Sequence, residues 1–120
     1  MTTEQNLLYM LHEQFDNEFT KPRKQWFCEY MTICIDNEKD LIFRILNCSR
    51  RSLESAVFNA VKFQIEYLLE YYDLNPYKCH IHNDYIKGAL WDYFGENYAD
   101  VLNPIVDYYQ EKRNELKKGA

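Results

Sequence analysis

Residues 53–72 read LESAVFNAVKFQIEYLLEYY. Ser55, Asn59, Lys62, Glu66 and Glu70 recur at helical spacing and form one narrow polar strip. The rest of the cylinder is apolar: Leu53, Ala56, Val57, Phe58, Ala60, Val61, Phe63, Ile65, Leu68 and Leu69. A helix apolar over most of its circumference is the most buried one of its domain. Ser52 stands as its N-cap and Asp73-Leu74-Asn75-Pro76 ends it. The stretch predicts an all-α fold, a compact bundle of five to six helices around this central one.

Working upstream, Leu41, Ile42, Ile45 and Leu46 predict a short helix, and Trp26, Phe27, Tyr30, Met31, Cys34 and Ile35 a longer one before it. Pro22 fits the first position of that longer helix, and Asp36-Asn37 its stop and the next cap. Leu7, Leu8, Leu11, Phe15 and Phe19 predict a first helix over 3–19, opened by a Thr2/Gln5 capping box. Downstream, Asn83 or Asp84 caps a helix bearing Ile86, Ala89, Leu90, Tyr93 and Phe94, which Gly95 closes. A last segment runs from about Tyr98 to Lys117 through Val101, Leu102, Ile105, Val106 and Tyr109. At Asn103-Pro104 it either restarts or kinks. Lys112, Arg113, Lys117 and Lys118 suit a helix C-terminus.

No linker or low-complexity run divides residues 1–120, so the chain reads as one domain. Leu53, Ala56, Asn59, Ile65, Leu68, Leu69 and Asn75 are similar to positions of a single ankyrin repeat. Ala60-Val61 stands where that repeat turns on glycine, so the stretch reads as one helix and no function follows from the likeness.

The 120 residues allow one core. With 47% apolar residues, 28% charged ones and only 3 Gly and 3 Pro, the chain is neither disordered nor rich enough in turns for a sandwich or barrel. A net charge of −5 argues against direct nucleic-acid binding, and Arg50-Arg51 and the 112–118 tail are short basic clusters. No signal-peptide pattern opens the sequence and no apolar run reaches membrane-spanning length. Cys28, Cys34, Cys48 and Cys79 are expected to be reduced, in a cytoplasmic protein.

Catalytic signatures are absent: three glycines cannot build a phosphate loop, and no His-Glu-x-x-His, Gly-x-Ser-x-Gly or Cys-x-x-Cys occurs. Cys79, His80 and His82 are the nearest approach to a metal site, but no convincing fourth ligand accompanies them. The same loop offers a Cys/His pair without an orienting group, and Lys78 is its only nearby cation. Glu66/Glu70 and Asp92/Glu96 are helical carboxylate pairs that read as solvated faces. No cofactor is expected.

Charge and tyrosine are distributed unevenly. Residues 61–111 hold nine acids against three bases and nine of the eleven tyrosines. Tyr67, Tyr93 and Tyr109 fit the edges of a core. Tyr71, Tyr72, Tyr77, Tyr98 and Tyr108 lie beside acids or in loops and suit a contact surface. Trp91 falls opposite the apolar stripe of its helix, with Asp84, Lys87 and Gly88. Trp26, by contrast, is expected inside the core.

The expected binding surface therefore comprises Tyr71, Tyr72, Asp73 and Tyr77 together with Asp84, Trp91, Asp92, Glu96 and Tyr98, on adjoining parts of one face. This predicts a non-enzymatic protein-binding module, of the inhibitor or immunity type, docking on a basic protein partner, for which a nucleic-acid-binding protein offers a suitable surface. The alternative is a helical homo-oligomer or scaffold. A small metal-dependent protein using the Cys79/His80/His82 loop comes third.

Overall fold

The computed structural model describes residues 2–16 and 21–118, with Arg50 and Arg51 described by their backbone alone. Among these residues there are six helices and no strand: α1 (Thr3–Phe15), α2 (Arg23–Asp36), α3 (Lys39–Asn47), α4 (Arg50–Tyr71), α5 (Asn83–Phe94) and α6 (Tyr98–Lys118). This is the all-α bundle that the apolar periodicity predicts. Phe19, assigned to the first helix, lies outside the described residues. The helix itself stops at Phe15, with Asp16 as its C-cap.

Several helix ends fall where the sequence places them. The Thr2/Gln5 capping box is complete: the Thr2 N–H donates to Gln5 Oε1 at 2.8 Å and the Gln5 N–H to Thr2 Oγ1 at 3.2 Å. Gly95 closes α5 at φ 70°, a left-handed conformation that costs glycine nothing.

Other ends shift. Ser49, not Ser52, caps α4, and the Ser52 N–H donates to its hydroxyl at 3.4 Å. Nothing between the two serines breaks a helix, so capping at the earlier one gains a turn of backbone hydrogen bonds. Asp36 lies in the last turn of α2 and Glu38 is the N-cap of α3. Pro22 is itself the N-cap residue of α2. His82 caps α5 instead of Asn83 or Asp84, its Nδ1 accepting from the Asp84 N–H at 3.2 Å. Helix α6 runs through Pro104 without restarting. Proline leaves the carbonyl one turn back, at Asp100, without a donor, and both residues lie on the solvent side.

Helix α4 crosses Arg50–Tyr71 unbroken and packs against α1, α2, α3 and α6. Its inner face buries Leu53, Val57, Ala60, Val61, Ile65, Leu68 and Leu69. Each large side chain so removed from water contributes about 1.5–3 kcal/mol. Helix α6 shares the centre, packing on α2, α3, α4 and α5, while α5 leans chiefly on α1. Phe15, Phe27 and Phe94 meet edge to face where α1, α2 and α5 converge.

Polar side chains tie the layers at several points. Tyr109, fully buried, donates to Asp36 Oδ1 at 2.9 Å. Tyr93 donates to Asp16 Oδ1 at 2.5 Å, and Tyr72 to Gln14 Oε1 at 2.7 Å. Cys28, Cys34, Cys48 and Cys79 are all unpaired thiols. Among the described residues no helix is long and apolar enough to cross a membrane.

Candidate protein-binding surface

The outer face of α4 differs from the sequence reading. Phe63 and Tyr67, assigned to the core and its edge, are exposed together with Tyr71, Tyr67 to 59%. Their spacing of four residues stacks the three rings in one ridge along the helix. The exposed side of α4 is wider than the polar strip: the row Ser55, Asn59, Phe63, Tyr67, Tyr71 turns by about 40° at each step and stays in water throughout. Tyr93 and Tyr109 are buried as expected.

One flank of the ridge is the loop after α4. Glu66, read as part of a solvated strip, instead pins this loop: its Oε2 accepts the Ile81 N–H at 2.6 Å, and His80 Nδ1 lies 3.4 Å from the carboxylate. Asn75 stiffens the turn from within, its amide donating to the Cys79 carbonyl at 2.8 Å and its Oδ1 accepting from the Cys79 N–H at 3.1 Å. Asp73 and Lys78 take left-handed backbone angles, φ 59° and 53°. Phe63, Tyr67, Glu70 and Lys78 frame a shallow hollow of about 140 Å³ there. Tyr77, beyond it, is 87% exposed.

The other flank brings in α1 and α2. Tyr9 is exposed on α1. Tyr30 of α2 lies edge to face with Phe15 and Trp26. Burial, helped by the neighbouring Cys34, Tyr72 and Tyr67, pushes the Tyr30 phenol up to about 12. Burial also raises the Tyr72 phenol, with Tyr71, Glu13 and Tyr9 adding to it. Five tyrosines from three helices thus gather at the C-terminal end of α4. The sequence reading missed Tyr9 and Tyr30 because they lie outside the acidic half of the chain.

Six of the nine residues assigned to the surface are exposed: Tyr71, Asp73, Tyr77, Asp84, Trp91 and Asp92. Trp91 is 54% exposed, opposite Ile86, Ala89, Leu90 and Tyr93. The other three are engaged within the fold. Tyr72 is half-buried against Gln14. Glu96 accepts from Lys24 Nζ at 3.2 Å. Tyr98 packs on Phe58 and beneath Lys87 Nζ, 4.8 Å from its ring. Among the described residues no hydrogen bond, ion pair or ring contact joins the group on α4 and its loop to the group on α5. Trp26 is only partly buried, not sealed in the core.

Cys79, His80 and His82 diverge. Cys79 is exposed, His80 leans on Glu66 and His82 caps α5. Among the described residues no three His, Cys, Asp or Glu side chains come together as metal ligands. Buried Cys28 donates to the Val101 carbonyl, and burial pushes its thiol up to about 11, the opposite of an activated nucleophile.

Compared with protein-family models, with curated proteins and with solved structures, the chain finds no match in any of the three.

Proposed function

We propose that this chain is a non-enzymatic protein-binding module of the inhibitor or immunity type, and that the aromatic ridge of α4 is the centre of its contact face. One observation carries the reading: Phe63, Tyr67 and Tyr71 point outward from the helix whose inner face builds the core. Packing does not account for three aromatic rings in a row in water, and such rings supply desolvated area at the centre of interfaces. Glu70 and Asp73 stand beside the ridge, so a partner with a basic surface is favoured. The four unpaired thiols support a reducing, cytoplasmic setting.

The test is capture from a lysate of the native host at low and high salt, with Tyr67→Ala/Tyr71→Ala beside the parent chain. A basic protein retained at low salt and lost by the double variant is the expected result. Each truncation should weaken binding by about 2 kcal/mol, roughly thirtyfold. A partner retained equally by the variant would overturn the assignment of the ridge. A salt-insensitive dimer by size exclusion would replace it with the homo-oligomer reading.

A further inference from the structure

On α6 the residues Val101, Ile105, Tyr109 and Arg113 form one row of spacing four, and all are buried. Arg113 therefore continues the core stripe as a cation, only 8% exposed. Its Nε and Nη1 are fully enclosed and make no hydrogen bond. A guanidinium stays charged under all ordinary conditions, and enclosing two of its three nitrogens without an acceptor leaves the cation underpaired inside the fold.

Arg113 lines an open groove of about 620 Å³ between α3 and α6, walled by Ile42, Phe43, Leu46 and Leu116. That volume lies within the range of about 300–1,000 Å³ typical of small-molecule sites. Lys39 and Lys117 add positive charge at its rim. Among the described residues Asp36 is the one carboxylate lining it, and it is already engaged by Tyr108, Tyr109 and Lys112. An apolar trough with a cationic end selects a ligand with an anionic head and an apolar body, against the repulsion of a chain whose net charge is −5. A carboxylate is a charge-assisted acceptor for Nη2, the one guanidinium nitrogen that is not enclosed.

We propose that the α3–α6 groove binds a free aliphatic carboxylic acid, its head on Arg113 and its chain along Ile42, Phe43, Leu46 and Leu116. The site is distinct from the α4 ridge and does not depend on it.

Decanoate is the probe, titrated into the full chain and followed by the Arg113 Nε–H resonance and the methyl resonances of Leu46 and Leu116. Saturable one-to-one shifts confined to these groups are expected. Decyltrimethylammonium, with the same chain and the opposite charge, should not bind. Arg113→Met keeps a long unbranched stem and should weaken decanoate about tenfold or more, the loss of one charge-assisted contact. Its fold is checked by circular dichroism. Leu116→Glu offers a second route: the position is 59% exposed, so the core is untouched while an anion enters the groove, and decanoate affinity should again fall. Equal binding of the cationic amphiphile overturns the proposal. So does unchanged decanoate affinity in Arg113→Met, which would mean that the guanidinium is satisfied within the chain, for example by Gln110 Oε1, itself buried without a donor. Tighter binding of decyl phosphate than of decanoate would reject the carboxylate head.

Discussion

Tyr109→Phe removes a single oxygen from the centre of the bundle and has two readable consequences. The ring is fully enclosed, and its hydroxyl donates to Asp36 Oδ1 at 2.9 Å. Phenylalanine preserves the ring and its packing, so the substitution isolates the bond. A hydrogen bond to a charged acceptor contributes about 1.5–3 kcal/mol. Asp36 also accepts from Tyr108 at 3.0 Å and pairs with Lys112, and it is partly open to water. The remaining donors therefore offset part of the loss, and the expected cost at neutral pH is about 1–2 kcal/mol.

The second consequence appears in alkali. Burial, then the hydrogen bond and charge of Asp36, hold the Tyr109 phenol far above its ordinary value of 10.0. Burial and Asp16 do the same to Tyr93, and Tyr30 is pushed up to about 12. In the unfolded chain these phenols lose their protons near pH 10.0, while in the folded chain they keep them. The unfolded state then binds fewer protons, so stability is intact below that pH and falls above it. Each shielded phenol adds about 1.4 kcal/mol per pH unit to the decline. Urea unfolding of the parent chain and of Tyr109→Phe, followed from about pH 9 to about pH 11, measures the difference and cancels contributions from Cys28 and the lysines. The variant should lose the share of one phenol, up to about 1.4 kcal/mol per pH unit. An unchanged slope would show that the phenol ionises in the folded protein, and the reasoning from its burial would fail.

Burial raises the Asp16 carboxyl, but hydrogen bonds from Tyr93 and His12 and the charges of His12 and Arg23 outweigh it and hold it below its ordinary value of 3.8. Its stabilisation is present above that pH and lost as pH falls through the lower folded value; Asp16→Asn should cost about 1 kcal/mol at neutral pH, and a difference that persists unchanged in strong acid contradicts the pairing. Glu66→Ala should release the loop and speed hydrogen exchange at the Ile81 amide, leaving α4 amides protected; equal exchange in both proteins would remove the anchor. Ala60→Trp inserts a large ring at a position 1% exposed and should lower unfolding stability by about 1–3 kcal/mol, and a neutral result would mean the site has room. In Trp26→Phe the fluorescence of Trp91 alone is read, and acrylamide should quench it readily; strong protection would place the ring inside a contact.

The helices were legible because six apolar stripes of period 3.6 leave few other solutions for a chain poor in glycine and proline. Their ends were less so. Ser49 and Ser52 are both competent caps one turn apart, and so are His82, Asn83 and Asp84, so local chemistry alone does not choose between them. The engaged members of the expected surface were hidden for a different reason. Gln14 lies 58 residues from Tyr72, and Lys24 lies 72 from Glu96. Pairings at that separation are set by how helices pack, which no local pattern encodes.

Phe63 and Arg113 share a single cause, and it could have been found in the sequence. A row of every fourth residue turns by only about 40° per step round a helix, whatever side chain stands there. Following Ser55 and Asn59 forward leads to Phe63, Tyr67 and Tyr71 on the water side. Following Val101, Ile105 and Tyr109 forward leads to Arg113 in the core. Sorting residues by hydrophobicity assigned Phe63 inward and Arg113 to the helix dipole; sorting them by row reverses both. The aromatic ridge and the buried guanidinium are two of the places where residue type and register disagree, beside exposed Ile33 and Phe43 and buried Gln64. At such places local consistency has been given up, and function is the usual reason.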